Sequence, residues 1–223
     1  PTIAVASTGS EILDLGDIQT NDAQIRSSNH LVLEALFKSN GANTIQMGVV
    51  KDDMTSITNL LETALLKADI VVTTGGVSVG DYDFVAAALK ELQVETLFYK
   101  VNQKPGKPLF AGKLKNKMVF ALPGNPAAAL TCFYVYVLPT LSILSGKATD
   151  YNQAKSIAIA HDYKVHNTRS QFLKAHIVNG EAVILSHQAS SMLNSFSVAN
   201  GLIFVPNGSY ELKQGDSVDV YLL

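Results

Sequence analysis

The chain has 223 residues, 47% of them hydrophobic and 16% charged, with a formal charge of −2 at pH 7. That length accommodates one large domain, or a medium domain with a smaller one attached, and that composition buries a substantial core. The slightly acidic balance excludes a general nucleic-acid binder, which is basic, so any bound anion is held by local features.

The run "TIAVAST" (2–8) is apolar on both faces and predicts a buried strand of a parallel sheet. A polar loop follows to about Gln24. Leu31, Leu33, Leu36 and Phe37 then recur at helical spacing and stop at Gly41, a glycine C-cap. "NTIQMGVV" predicts a strand and "MTSITNLLETALLKA" a helix, with Asp53 as its N-cap. "DIVVTT" is a third strand that ends at a glycine loop, and "DYDFVAAALKEL" a third helix. Strands alternating with helices in this way predict right-handed crossovers in a parallel sheet. "ETLFYKV", "PLFAGKL" and "KMVFAL" predict further strands, and "GNPAAALTCFYVYVLPTLSIL" a long buried helix with Pro126 in its first turn.

A polar joint spans 145–151. Beyond it "KSIAIAHDYKV", "QFLKAHIV", "EAVILS", "LIFVP" and "SVDVYLL" predict a small all-β barrel or sandwich of about 75 residues. The expected architecture is an α/β domain over 1–147 followed by a β domain over 148–223. Cys132 has no partner for an internal disulfide and reads as a buried structural thiol, which fits a reducing, cytoplasmic compartment. Neither a signal peptide nor a membrane span is expected, because the longest apolar stretch, around Leu130 to Leu144, is interrupted by Pro139 and is too short to cross a bilayer. Pro1 leads straight into a strand, so the chain reads as a fragment with native sequence upstream.

In open α/β sheets ligands bind outside the carboxyl ends of the strands. Four segments fall there: "STGSE", "VVKDD", "TTGGVSVGDYD" and "LPGNP". The glycine loop is not a phosphate-binding P-loop, because Asp81 and Tyr82 stand where a Lys-Ser/Thr pair is required, nor is it a G-x-G-x-x-G turn. Gly75 and Gly76 still allow close approach of a ligand, and the following helix offers free N–H groups to an anion. The bland alternative is that Asp81 only caps that helix. "LPGNP" repeats the device with Asn125 as N-cap and Pro126 behind it. Two such helix starts suit a ligand with more than one anionic group.

Glu11, Asp52, Asp53 and Asp83 lie in the same loops. Carboxylates beside an anionic ligand call for a cation between them, and Mg²⁺ suits carboxylate and phosphate oxygens. No His/Cys spacing suggests zinc, and no Ser-His-Asp arrangement is legible. Lys100, Lys104, Lys107 and Lys113 crowd a Pro-Gly-Lys-Pro turn whose prolines stiffen it, a local candidate for oxyanion binding.

Together "STGSE", "IRSSN", "VVKDD", "TTGGVSVGDYD", "KPGKPLFAG", "ALPGNPAAAL", "TRSQFLKA", "SSMLNS" and "ANGLIFVPNG" resemble the molybdopterin molybdotransferase family, the MoeA and gephyrin E-domain group. The resemblance implies a three-layer molybdopterin-binding domain and a C-terminal β-barrel. It also implies insertion of molybdate into adenylylated molybdopterin with loss of AMP, aided by Mg²⁺. The family's acidic positions fall on Glu11, Asp52 and Asp83, with Asp52 and Asp83 as the metal holders, and its lysines on Lys100 and Lys104. Ligand contacts would come from Thr8, Gly9, Gly75, Gly76, Ser78, Gly80, Lys107, Gly124, Asn125, Arg169 and Ser190. The chain departs from the family pattern at Ser10 and Ser27, where acidic residues are usual, and at Ala189-Ser190-Ser191, where Gly-Ser-Gly is usual. Family members carry two further domains upstream and act as homodimers, alongside other cofactor-biosynthesis proteins. Two rival readings are a molybdopterin-binding or adenylylating module of the MoaB/Mog type and a non-catalytic scaffold like the gephyrin E domain.

Overall fold

The computed structural model describes residues 1–77, 83–147 and 154–223. Residues 148–153, where the sequence puts the end of its joint, lie outside the described set, as do Ser78, Gly80, Asp81 and Tyr82. The chain divides into two compact units: Pro1–Val101 with Pro108–Asn125, and Asn102–Lys107 with Pro126–Leu223.

In chain order the elements up to Leu122 are β1 (Thr2–Thr8), β2 (Ile12–Leu13), β3 (Ile25–Arg26), α1 (Asn29–Ser39), β4 (Asn43–Val50) and α2 (Met54–Lys67). Then come β5 (Ile70–Thr74), α3 (Phe84–Glu91), β6 (Glu95–Tyr99), β7 (Gln103–Lys104), β8 (Phe110–Leu114) and β9 (Lys117–Leu122). All but β7 build the first unit. Its sheet runs β4-β1-β5-β9-β8-β6. The first four strands are parallel, whereas β8 and β6 are antiparallel additions. The sequence reading of a parallel sheet therefore covers only part of it. No helix separates β6, β8 and β9, and a parallel connection needs a crossover.

The apolar runs explain the layering. Along β1, Ile3 and Val5 are buried on one face and Ala4 on the other, because strand side chains alternate. Ala4, Val71, Val119 and Ala121 join a core with Ile57, Leu61 and Ala64 of α2 and Val85, Ala88 and Leu89 of α3. Helix α1 packs along β1, β4 and β5 with Leu33 and Phe37 fully buried. It ends as its sequence requires: Gly41 adopts φ +81°, its N–H donates to Lys38 O, and the Ala42 N–H donates to Phe37 O. Asp53 caps α2, accepting from the Ser56 N–H at 2.9 Å and the Ser56 hydroxyl at 2.8 Å.

The second unit contains β7, α4 (Pro126–Cys132), a π-helical turn over Phe133–Val137, α5 (Leu138–Leu144), β10 (Lys155–Ile159), β11 (Tyr163–Asn167) and β12 (Ser170–Val178). β13 (Glu181–Ile184), a 3-10 turn (Asn194–Ser197), β14 (Gly201–Val205), β15 (Gly208–Leu212) and β16 (Ser217–Leu222) complete it. β13, β10, β16, β14 and β12 close into a ring because β12 also pairs with β13, and β7 adds outside β12. Ile159, Leu173, Ala175, Ile203 and Val220 fill the interior. "KSIAIAHDYKV" is two strands, not one: the chain turns after Ile159, and β11 leaves to pair with β15, which the sequence reading missed.

Pro139 does not interrupt the long helix. Helical structure runs unbroken over Pro126–Leu144, 19 residues of mean hydropathy 1.8, long and apolar enough to cross a membrane by length and composition, and 56% buried in the folded chain. The π turn explains the continuity. The Leu138 N–H bonds to Phe133 O, five residues back, which loosens the coil where the proline ring would meet a carbonyl.

Candidate functional site

In the first unit, the carboxyl ends of β1, β4, β5 and β9 are drawn together by backbone contacts. The Gly75 N–H donates to Leu122 O at 3.1 Å and the Gly9 N–H to Val50 O at 3.2 Å. Gly75 and Gly76 have φ +82° and +65°. A Cβ on Gly75 would stand 2.2 Å from Thr8 O, and one on Gly76 2.4 Å from Thr8 Oγ1 and 3.3 Å from Asp52 Oδ1. Only glycine permits this approach, so the turn folds onto the end of β1. Gly124 follows the same edge: the Asn29 amide donates to its carbonyl at 2.8 Å.

Thr8 Oγ1 and Asp52 Oδ1 are both buried without a hydrogen-bond partner. Burial pushes the Asp52 carboxyl pKa up, and the charges of Glu11, Asp83 and Asp53 push it further. The structure thus brings the predicted carboxylates into one electrostatic neighbourhood. Asp83 has additional duties. It caps α3 through the Ala86 N–H at 2.9 Å, and it accepts a short hydrogen bond from the Tyr99 hydroxyl. Burial first, and then this bond, raise the Tyr99 pKa. Lys100 follows with φ +61° and sets its ammonium 4.9 Å over the Tyr99 ring.

A buried polar chain lies along the same edge, and sequence reasoning missed it. The Ser7 hydroxyl is 3.0 Å from those of Thr74 and Ser27, and Ser27 Oγ is 2.6 Å from His30 Nδ1. His30 Nε2 faces Asp14 at 3.6 Å. A Ser-His-Asp order therefore exists, but Ser27 and His30 are 7% and 2% exposed, and the hydroxyls bond one another. It ties α1 to β1 and β5 beneath the glycine turn.

Among the described residues no three His, Cys, Asp or Glu side chains converge as a metal site. Magnesium does not require three, since it keeps several waters and takes one or two carboxylates plus phosphate oxygens. An orphaned carboxylate repelled by its neighbours fits that role.

The second unit holds the other candidates. Lys104, on β7, is exposed and Lys107 half-buried; the neighbouring Gln103 pairs with Ser170, and its carbonyl accepts from Arg169 Nη1 at 3.4 Å. Ser190 lies in a turn whose carbonyls are gathered by a buried lysine. Lys174 Nζ donates to Ala189 O at 3.3 Å and Met192 O at 3.4 Å, and Ser190 O accepts from the Ala127 N–H. Burial lowers the Lys174 pKa. A cavity of about 260 Å³ is lined by Lys104, Lys164, His166, Asn167 and Gln171 among others, with no carboxylate among the described residues of its wall.

Residues 4–143 match the family model described as a probable molybdopterin binding domain, and residues 157–223 match that of the MoeA C-terminal region (domain IV). A glycine-lined edge on a parallel-rich sheet, followed by a closed β ring, defines the same class in structural terms. The chain belongs to the molybdopterin molybdotransferase family of MoeA type. It is 33% identical over 226 residues to the molybdopterin molybdenumtransferase of Staphylococcus aureus strain COL, covering all of this chain and 54% of that protein. It is 35% identical over 229 residues to that of Staphylococcus epidermidis, again covering 54% of the relative. A crystal structure of a molybdopterin biosynthesis MoeA protein from Pyrococcus horikoshii superposes over the whole chain and 54% of its own, with a TM-score of 0.83 and 34% identity. The chain thus spans about half the length of the curated relatives it matches.

Proposed function

We propose that this chain carries the ligand-binding part of a molybdotransferase, which inserts molybdenum from molybdate into adenylylated molybdopterin with release of AMP. The observation that carries the reading is the orphaned Asp52 carboxylate, crowded by Glu11 and Asp83 beside the Thr8–Gly75–Gly76 turn. A site that concentrates negative charge against a backbone-lined turn is suited to a phosphorylated ligand only with a cation present. Asp52 and Asp83 would hold Mg²⁺, which supplies charge neutralisation on phosphate oxygens when bound.

The chain's own residues do the rest. Gly9, Gly75, Gly76, Gly124 and Asn125 admit the ligand to the backbone, together with Ser78 and Gly80, and Thr8 offers an unpartnered hydroxyl. Glu11 adds negative charge on the side of the cation. Lys100, Lys104, Lys107, Arg169 and Ser190 bind oxyanion and phosphate groups. No covalent protein nucleophile is involved; positioning and charge stabilisation carry the step. The cytoplasmic setting and the homodimer implied for a full-length family member belong to the same proposal.

The test is AMP release from adenylylated molybdopterin with and without molybdate and Mg²⁺, using this chain and a full-length version containing it. Release that needs both supports the reading. Consumption of ATP to adenylylate molybdopterin, without molybdate-dependent AMP release in either protein, would assign an adenylylating module instead.

A further inference from the structure

β7 is two residues long and pairs with one strand only, Gln103 opposite Ser170 and Lys104 opposite Gln171. So short an element does not fix a side chain by its ladder alone. Its anchor is Gln103, 2% exposed. The Gln103 amide accepts a short hydrogen bond from the Tyr136 hydroxyl, donates to Pro105 O at 3.1 Å and approaches Cys132 Sγ at 3.8 Å. Gly106, at φ +90°, lies so close that a Cβ there would stand 2.5 Å from Cys132 Sγ and 2.9 Å from Gln103 Nε2. The loop is thus bolted to Cys132 and Tyr136, one helical turn apart on the same helix face. Successive strand residues point to opposite sides, so a Gln103 fixed inward fixes Lys104 outward. On that side lies the cavity, with Lys164 and His166 in its wall and no carboxylate among its described residues, and with the buried Asn167 Nδ2 unpartnered.

We propose that Gln103, held by Tyr136, is a positioning residue that aims Lys104 into this cavity as an anion-binding arm. The inference rests on the assignment of Lys104 to oxyanion binding made above, and it adds the device that makes that arm rigid. Burial pushes the Tyr136 phenol up to about 12, so it stays a donor across the physiological range.

The experiment titrates this chain with molybdate calorimetrically and compares Lys104→Ala, Tyr136→Phe, Gln103→Met and the Lys104→Ala/Tyr136→Phe double variant. Gln103→Met conserves volume, so a change in affinity does not depend on a cavity. The expected result is strongly reduced but still measurable molybdate binding in Lys104→Ala, weakening by about tenfold in Tyr136→Phe, the size of one lost hydrogen bond, and at least as much weakening in Gln103→Met, which also loses the bond to Pro105 O. The double variant should bind no worse than Lys104→Ala, because Tyr136 acts only through that side chain; a merely structural role would make the two losses additive. If Lys104→Ala binds molybdate like the parent, or the parent binds none, the oxyanion assignment of Lys104 falls and this inference with it. Loss in Lys104→Ala with unchanged affinity in both Tyr136→Phe and Gln103→Met, or additive losses, overturns the inference alone.

Discussion

Replacing Asp52 by Asn should make the metal-free protein more stable. The charged carboxylate has a buried, unpartnered oxygen and three like charges near it, Glu11, Asp83 and Asp53. Asp52 is only partly buried, so solvent screens each repulsion to a few tenths of a kcal/mol, and the three with the burial penalty come to about 1 kcal/mol. For a chain of this size that is a rise in thermal midpoint of about 2–4 °C.

The pH dependence has a definite sign. The folded pKa lies above 3.8, so below it the folded state binds a proton that the unfolded state does not, down to about pH 3.8. The parent therefore recovers stability as pH falls through that window, and the advantage of Asp52→Asn should shrink there. Magnesium adds a second arm. At ten times its Kd it should stabilise the parent by about 1.4 kcal/mol, and the variant by less. Thermal melts of both proteins at several pH values, with and without Mg²⁺, provide the measurement. An Asp52→Asn protein no more stable than the parent at neutral pH, or an advantage that persists on acidification, would refute the account of Asp52 as a repelled orphan.

Gly75→Ala forces a left-handed backbone on a side chain whose Cβ would meet Thr8 O at 2.2 Å; a loss of roughly 2–4 kcal/mol is expected, read as a lower thermal midpoint. At Asp83, Asn keeps an acceptor for the Ala86 N–H, and its NH2 group, in place of the second oxygen, can donate to the Tyr99 hydroxyl oxygen, so Asp83→Asn should reduce Mg²⁺-dependent AMP release with little change in melting temperature. Asp83→Lys should also lose the α3 cap, at about 1 kcal/mol. The Lys174 pKa is lowered below 10.5 by burial, so the unfolded chain binds the extra proton and stability rises with pH through the folded pKa up to about 10.5. Urea midpoints should show that rise in the parent and lose it in Lys174→Met.

What the sequence made legible was whatever a residue does to its near neighbours. Continuous apolar runs located β1 and β5, the spacing of Leu33 and Phe37 located the buried face of α1, and Gly41 and Asp53 stop and start their helices by contacts three to five residues away. Gly75 and Gly76 were likewise visible, because a backbone that must turn sharply is written in the turn itself. Asp83 was only half legible. Its charge was plain in a loop, but its cap and its bond to Tyr99, 16 residues on, were not.

Polar partnerships formed by tertiary folding left no local trace. Ser7 meets Thr74 across 67 residues, Asn29 meets Gly124 across 95, and Gln103 meets Tyr136 across 33. Each joins residue types that are ordinary where they stand in the chain. The same limit bears on the long helix, which was read as one element although Pro139 is a breaker by local rule: the π turn before it cancels the clash, and helical structure runs on through the proline. The lysines of the Pro-Gly-Lys-Pro turn marked a place where charge accumulates. The prolines restrict that turn locally; the further anchor proposed above, a buried glutamine held by Tyr136, has nothing in its immediate surroundings to distinguish it. On that proposal the aim of Lys104 depends on contacts within the second unit, from Cys132 to Ser170, that the motif itself does not contain.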